Sequence, residues 1–419
     1  MDGKRKKHRI RQFAKGFGLF ILCLTIVAGL AYAGILYFNF DLVHREGTTS
    51  SEVVDYETST QTEELPLLED QEIKNVIIFI GDGMGLSQIT ATRYKYYGPE
   101  GRLNMEIMPV TGLVNTFAAN NALVTDSGAG ATAMATGFKT DIGMIGVTPD
   151  GERKRTIMEV LQERGLATGL VTTSDVTDAT PGAFSSHVPS REMKGAIVKQ
   201  LIDSKVNLLV SGGETFHGEE LEGGERVSVI QYAQDKGYRV VNKQGEFFNT
   251  TEEYVLALFE GMISDKFNDT ILFNKEAPTL SECTGKALKL LDRDEDGFFL
   301  MVEEEGIDTG GHINRIDFVT SHLKNFDDAI AVGLKYALEN KQTLVLVLAD
   351  HETGGLTLVK DNSTSEQIGV RWSTDGHTGQ PVPVFAFGPH ALAFTGVLDN
   401  TDIPKIIAEV MRIDAFPDL

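Results

Sequence analysis

The stretch NVIIFIGDGMG, residues 75–85, decides the fold of this chain. Residues 76–80 are an unbroken apolar run rich in β-branched side chains, and Gly81 and Asp82 follow at once. Such a run is typical of a strand that is buried on both faces of a parallel sheet. The stretch therefore predicts a strand that delivers Asp82 to the carboxyl edge of a sheet, where doubly wound folds bind their ligands.

Similar apolar runs recur along the chain and alternate with helical patterns. They are LATGLVTTS at 166–174, VNLLVSGG at 206–213, GFFLMVE at 297–303, TLVLVLAD at 343–350 and PVPVFAFG at 381–388. This alternation predicts an α/β fold, a three-layer sandwich around a largely parallel central sheet, over residues 73–419. Residues 215–282 break the alternation with charged and aromatic residues, and they are predicted as a candidate inserted cap.

The N-terminal region differs in composition from the rest of the chain. Residues 1–16 form a basic segment, and residues 17–38 are an uncharged run as long as a membrane-spanning helix requires. Positive charge on the N-terminal side predicts a single-pass transmembrane signal anchor in the cell membrane, with the folded region extracellular or periplasmic. Because Ala31-Tyr32-Ala33 resembles a signal-peptidase site, secretion after cleavage is the alternative. Residues 39–72 are predicted as a flexible tether.

The chain is acidic, with a formal net charge of −22, although its first sixteen residues are basic. Such a charge repels phosphate backbones and argues against nucleic acid as a general partner. An acidic surface that keeps the protein soluble would explain the charge without any ligand. A small anionic substrate would need local positive charge, from metal ions or from an arginine.

Acidic and histidine side chains follow several of the predicted strands. Asp82 follows the first strand, Glu303 ends another, and Asp350 with His351 follows a third. A single Asp in such a place is commonly a helix cap. Several such groups at one edge of a sheet are costly unless cations neutralise them. Imidazole with carboxylate suits zinc, whereas carboxylate with hydroxyl and water suits magnesium.

Two further segments contribute candidates. Asp308 and His312 would lie one turn apart in a helix, although Gly310 and Gly311 make a loop equally plausible. Ser127 lies in VTDSGAGATAMATG, residues 124–137, before a run of small residues. It is either the N-cap of a helix or a nucleophile at a helix N-terminus, where the dipole favours an alkoxide or a bound phosphate.

Taken together, the motifs resemble those of the alkaline phosphatase family, from about Asn75 to the C-terminus. They occur in the family's order: GDGMG, VTDS, DATP with HVPSR, VEEEGID with Gly-Gly-His, ADHETGG and DGHTGQ. The resemblance implies an alkaline-phosphatase-like fold that holds two Zn²⁺ and one Mg²⁺. It implies hydrolysis of small phosphate monoesters of broad specificity through a phosphoserine, and family members are commonly dimers.

The resemblance also implies roles for individual residues. Asp82 would bridge one zinc and the magnesium; Asp350 and His351 would complete that zinc; Asp308, His312 and His377 would hold the other zinc; Asp178, Thr180 and Glu303 would hold the magnesium; Arg191 would bind the phosphate; and Ser127 would be the nucleophile. Thr309 departs from the family pattern, which has Lys, His or Trp at this position, and the change removes a large or charged neighbour of the phosphate.

Two other functions are compatible with parts of this pattern. Relatives with a similar metal core cleave phosphodiesters or sulfate esters, or move phosphate between sugar hydroxyls, but the match of Arg191 and the third metal set favour monoesters. An anchored protein that binds phosphate or metal without turnover is the second alternative. The presence of Ser127 in VTDS argues against it.

Overall fold

A computed structural model describes most of the folded region. The described residues are 65–68, 71–212, 220–221, 225–226, 228–263, 273–360 and 368–418. The predicted basic segment 1–16, the predicted transmembrane segment 17–38 and most of the predicted tether 39–72 lie outside them. Among the described residues, no helix combines the length and the apolar character needed to cross a membrane.

The described residues form short strands and helices in alternation. The strands are β1 (Asn75–Gly81), β2 (Val110–Asn115), β3 (Ala167–Thr172), β4 (Leu208–Ser211), β5 (Glu220–Leu221), β6 (Glu225–Arg226), β7 (Arg239–Val241), β8 (Val255–Leu258), β9 (Phe298–Glu304), β10 (Thr343–Leu348), β11 (Glu352–Thr353), β12 (Thr357–Lys360), β13 (Ile368–Arg371), β14 (His377–Thr378), β15 (Val382–Phe387) and β16 (Gly396–Asp399). The helices are α1 (Leu86–Tyr97), α2 (Ser127–Thr136), α3 (Ile157–Glu163), α4 (Ala179–Ala183), α5 (Lys194–Asp203), α6 (Val229–Asp235), α7 (Gln244–Asn249), α8 (Leu280–Leu291), α9 (Gly306–His312), α10 (Ile316–Asn340) and α11 (Asp402–Val410).

Ten of these strands form one sheet, in the order β16-β2-β15-β10-β1-β9-β3-β4-β8-β7. β15 runs antiparallel to both of its neighbours, and the other neighbouring pairs are parallel. The largely parallel central sheet predicted from the sequence is therefore confirmed. β1 lies between β10 and β9, so the turn that carries Asp82 opens at the centre of the carboxyl edge.

The central strands are buried on both faces because helices cover each side. Phe79 of β1 packs edge-on against Phe326 of α10, with ring centroids 6.1 Å apart. Side chains alternate along a strand, so Val76, Ile78 and Ile80 point to the opposite face, where they too are buried. α1, α8 and α10 pack together, whereas α2, α3, α4 and α11 form a second group.

The segment 215–282, predicted as a candidate inserted cap, contributes to this sheet. Its described part includes β7 and β8, and β8 pairs in parallel with β4. The charged and aromatic residues that interrupt the pattern belong partly to α6, which precedes β7, and to α7, which connects β7 to β8. β7 and β8 of this segment thus extend the large sheet, whereas β5 and β6 form a separate two-stranded ribbon.

Candidate metal and phosphate site

Three adjacent strands bring acidic side chains together at the carboxyl edge of the sheet. Asp82 follows β1, Glu303 lies near the end of β9, and Asp350 follows β10. All three side chains are buried. The convergence predicted from separate strand ends is therefore present in the fold.

The first group of ligand atoms comes from Asp82, Asp350 and His351, and these atoms all lie within 4.8 Å of one another. His351 Nε2 is 3.5 Å from Asp82 Oδ1 and 3.2 Å from Asp350 Oδ2. Within the described part of the chain, these two carboxylate oxygens are buried without a hydrogen-bond partner. Buried oxygens of this kind are costly unless a cation or a donor compensates them, so the donor set fits a metal ion.

The second group comes from Asp308, His351 and His377, again within 4.8 Å. Asp308 and His312 lie on α9, so the segment that could have been a loop is helical. His312 Nε2 is 3.1 Å from Asp308 Oδ2 and 3.2 Å from His377 Nε2. The predicted partition gave His351 to the first group alone, whereas the structure places it within reach of both.

Burial and mutual repulsion shift the pKa values in these groups. Burial raises the pKa of Asp82 well above its ordinary value, and Asp350 raises it further. Burial and then the charge of Asp308 raise the pKa of Asp350 to about 6. Burial lowers the pKa of His351 to about 4, so this ring is neutral at physiological pH. A neutral imidazole is the form that binds metals.

In the second group, the pKa of the carboxyl group is lowered and the pKa of a histidine is raised. Burial alone would raise the pKa of Asp308, but the hydrogen bond with His312 and the neighbouring histidines lower it to about 2. The same hydrogen bond raises the pKa of His312 to about 9. Asp308 is therefore ionised. A metal at this position would have to displace the proton that His312 retains in its absence.

The predicted magnesium residues lie beside Asp82. The hydroxyl of Thr180 is 3.5 Å from Asp82 Oδ2, and it also contacts the carboxyl group of Glu303. Glu303 accepts a hydrogen bond of 2.5 Å from Thr172, and burial followed by the charge of Asp178 raises its pKa well above the ordinary value. This set of carboxylates and a hydroxyl has the oxygen-only chemistry that magnesium prefers.

The nucleophile candidate begins α2. Asp126, and not Ser127, is the N-cap: its Oδ1 accepts a hydrogen bond from the amide of Ala129 at 3.0 Å. The hydroxyl of Ser127 is thus not used for capping, and its Oγ lies 3.3 Å from His351 Nε2. Ser127 consequently faces the ring that both groups of ligand atoms share.

Arg191 is held beside the serine by two carboxylates. Its Nη1 lies 3.2 Å from Asp126 Oδ2, and its Nη2 lies 2.9 Å from Asp178 Oδ1. Burial alone would lower the pKa of Arg191, but Asp178 and Asp126 raise it, so the guanidinium stays charged. Its side chain retains 29% of its exposure, which leaves part of the group open to an anion.

Sequence reasoning missed several residues that shape this site. Asp126 is part of the VTDS motif, but the sequence does not indicate that its side chain both caps α2 and binds Arg191. Thr309 donates a hydrogen bond of 2.8 Å to Glu305, whose pKa is raised to about 8 by burial and then by Asp308. The position of Thr309 drew attention in the sequence, whereas its partner Glu305 did not.

The fold and the site together define a metal-dependent phosphoester hydrolase, in which a serine and an arginine meet carboxylate and imidazole ligands at one sheet edge. The family model for alkaline phosphatase matches residues 73–368 and 358–413. The chain therefore belongs to the alkaline phosphatase family, and the resemblance seen in the sequence is confirmed.

Individual relatives agree with this assignment. The chain is 32% identical to alkaline phosphatase 3 of Bacillus subtilis (strain 168), over 81% of this chain and 89% of the relative. It is 33% identical to streptomycin-6-phosphate phosphatase of Streptomyces griseus, over 79% of this chain and 88% of the relative. The solved alkaline phosphatase of the Antarctic bacterium TAB5 is 31% identical, with a TM-score of 0.72, over 81% of this chain and 98% of that one.

Proposed function

We propose that this alkaline phosphatase family member hydrolyses phosphate monoesters, releasing an alcohol and inorganic phosphate, through a phosphoserine at Ser127. The proposal rests on one observation above all: Ser127 Oγ lies 3.3 Å from His351 Nε2, where the two groups of ligand atoms meet. The phosphatase names of the relatives support the same reaction class.

The ligand sets support two Zn²⁺ and one Mg²⁺. Asp82, Asp350 and His351 would hold one zinc; Asp308, His312 and His377 would hold the other; and Asp178, Thr180 and Glu303 would hold the magnesium beside Asp82. When bound, these cations would neutralise phosphate charge and ease deprotonation of the serine and of the attacking water. The acidic surroundings of the site make such neutralisation necessary before an anionic substrate can enter.

Groups of the protein itself have separate roles in the reaction. Ser127 Oγ attacks phosphorus as the bond to the alcohol oxygen breaks, and water later attacks the phosphoserine and restores the hydroxyl. The guanidinium of Arg191 binds two non-bridging phosphate oxygens, as its planar fork allows. The N-terminal end of α2 favours negative charge on the serine oxygen and on the phosphate.

We also propose that residues 17–38 anchor the protein in the cell membrane, with the phosphatase domain extracellular or periplasmic. The support is the basic flank and the length of the uncharged run. Release of an active protein that lacks these residues would favour the secreted alternative. A homodimer is proposed by analogy with the family, and sedimentation of the purified protein tests it.

Hydrolysis of p-nitrophenyl phosphate, its diester and the sulfate ester, measured across pH, tests the proposed function. We expect the monoester to be preferred, activity to be lost on chelation, and activity to return with zinc and magnesium. Ser127→Ala should abolish turnover and the trapping of labelled phosphate on the protein. Ser281→Ala in α8, which lies outside the site, serves as the matched control. Undiminished turnover in Ser127→Ala, or preference for the diester or the sulfate, would contradict the proposal.

A further inference from the structure

Glu304 is a buried carboxyl group that the proposed reaction does not use. It follows Glu303 in β9, and successive side chains of a strand point to opposite faces of the sheet. Glu303 accordingly reaches Thr180 at the candidate magnesium site. Glu304 points instead toward α10, and its side chain is fully buried. A carboxyl group in such a place is costly unless its oxygens find partners, so its contacts indicate its role.

Both oxygens of the Glu304 side chain have close polar partners. Oε1 lies 2.8 Å from His322 Nδ1, and it accepts hydrogen bonds from the hydroxyl of Thr173 at 2.9 Å and from the amide of Gly306 at 3.1 Å. Oε2 accepts a hydrogen bond of 2.7 Å from the side chain of Asn325. One carboxyl group therefore joins the residue after β3, the first residue of α9 and two residues of α10.

The position of α9 matters because this helix of seven residues carries Asp308 and His312, two predicted ligands of one zinc. Its N-cap, Glu305, makes no capping hydrogen bond with its side chain, so the first amide groups of the helix need other acceptors. Glu304 provides the acceptor for Gly306. A helix this short is marginal alone, and contacts with the rest of the fold decide where its side chains lie.

The ring of His322 packs against the same first turn of α9. A Cβ added at Gly306 would clash with this ring, so only glycine lets the two elements come so close. The ring also stacks on Phe318 of α10, with centroids 4.5 Å apart. Removal of either the ring or the Glu304 carboxyl group should therefore shift the start of α9.

The main chain of Glu304 contacts the turn of the first ligand group, because its carbonyl accepts a hydrogen bond of 3.1 Å from the amide of Asp82. Resting on the proposed metal-dependent function, we propose that Glu304 is a positioning residue. Its side chain acts through the main chain of α9 and through α10, and it sets where Asp308 and His312 lie relative to Asp82. Loss of the carboxyl group should weaken metal binding at the second group of ligands.

Cobalt binding to the full chain in detergent tests this proposal without reference to turnover. Co²⁺ is used because its visible spectrum changes with ligand geometry, whereas Zn²⁺ is silent. His312→Ala removes one ligand of the second group and so identifies its part of the titration. Glu304→Met removes the carboxyl group at similar volume, and Glu304→Gln retains an oxygen acceptor. We expect ~10-fold weaker binding at this site and a changed spectrum in Glu304→Met, with near-normal behaviour in Glu304→Gln.

Asp327→Met is the matched control for a loss that is merely structural. Asp327 is also a fully buried carboxyl group of α10, but it accepts hydrogen bonds from the amides of Asn104 and Met105, away from α9. We expect this substitution to lower the stability of the fold and to leave the affinity and the spectrum of the bound cobalt unchanged.

His322→Phe decides the matter if Glu304→Met does not fold, because it keeps an aromatic ring beside Gly306 and removes the contact with Glu304. It should weaken the same cobalt site. Normal cobalt binding in folded Glu304→Met or His322→Phe, or an equal loss in Asp327→Met, would overturn the inference. A wild type that binds cobalt at both groups but, loaded with zinc and magnesium, fails to hydrolyse monoesters would overturn the proposed function and leave the role of Glu304 intact.

Discussion

Replacing Glu159 by Gln should weaken a buried contact with His187 that holds the loop beside the nucleophile. Glu159 Oε1 lies 3.0 Å from His187 Nε2, and His187 Nδ1 contacts the carbonyl of Gly146 at 2.8 Å. The same loop provides the amide of Gly143, which donates to Asp126. Glu159 therefore acts on the site through a chain of contacts.

The expected magnitude follows from the pKa of the carboxyl group. Burial alone would raise the pKa of Glu159, but contacts with His187, the amide of Thr156 and the charge of Arg153 together lower it from 4.5 to about 2. At ~1.4 kcal/mol per pH unit, this shift corresponds to ~3 kcal/mol of stability. Because the folded-state pKa is depressed, the contribution is complete above pH 4.5 and is lost as the pH falls toward 2.

Urea unfolding of the wild type and Glu159→Gln over a pH series measures this contribution. Gln can still accept the amide of Thr156, so the helix cap survives and the charge alone is lost. We expect a stability difference of ~1–3 kcal/mol at pH 7 that shrinks steadily below pH 4.5. Glu163→Gln is the control, because Glu163 pairs with Arg155 on the surface of the same helix and should contribute under ~1 kcal/mol.

Taking the difference between the two proteins at each pH removes the effects of groups that both share, including the release of metals in acid. A difference that stays constant from pH 7 to pH 3 would refute the electrostatic reasoning. So would equal stability of Glu159→Gln and the wild type at neutral pH.

Two other substitutions test the phosphate site and its loop. Arg191→Lys should raise the KM for monoesters by ~10–100-fold, since a point charge cannot replace the planar fork that also binds Asp126 and Asp178; unchanged steady-state kinetics would contradict this. Gly146→Ala should lower stability by ~1–3 kcal/mol in thermal unfolding, because φ is +63° and a Cβ would lie 2.1 Å from the carbonyl oxygen of Ser186. Gly151→Ala is the control, because Gly151 has φ +81° and no atom lies within 4 Å of an added Cβ. It measures the cost of the backbone strain alone, so an equal loss of stability in Gly151→Ala would show that the clash with Ser186 contributes nothing.

The strongest strands could be predicted because their burial is complete. β1, β9 and β10 lie at the centre of the sheet with every residue buried, which produces continuous apolar runs in the sequence. β2 alternates between buried and more accessible positions, and β16 is an exposed edge strand of four residues. Such short or half-exposed strands resemble ordinary connections, and pairing with their neighbours decides their conformation.

The residues of the two candidate ligand groups lie in recognisable motifs, so the sequence could single them out, but it could not show their mutual arrangement. His351 belongs to both groups and stacks against His377, with ring centroids 3.6 Å apart. Asp126, which caps α2, also accepts a hydrogen bond from the amide of Gly143 in another loop. These contacts join segments distant in sequence, so no local pattern records them.

The order of the strands in the sheet has a consequence for the timing of activity. The central pair β1 and β10 comes from opposite ends of the folded region, and His377 follows later still. A chain emerging from the ribosome therefore holds Asp82 and Ser127 long before it possesses the residues that complete either group of ligands. Metal binding at the proposed ligands would follow the arrival of the last strands, and it would then stabilise the finished fold by mass action. If the proposed ligands hold the metal ions, catalytic activity would therefore appear only after synthesis and folding are both complete.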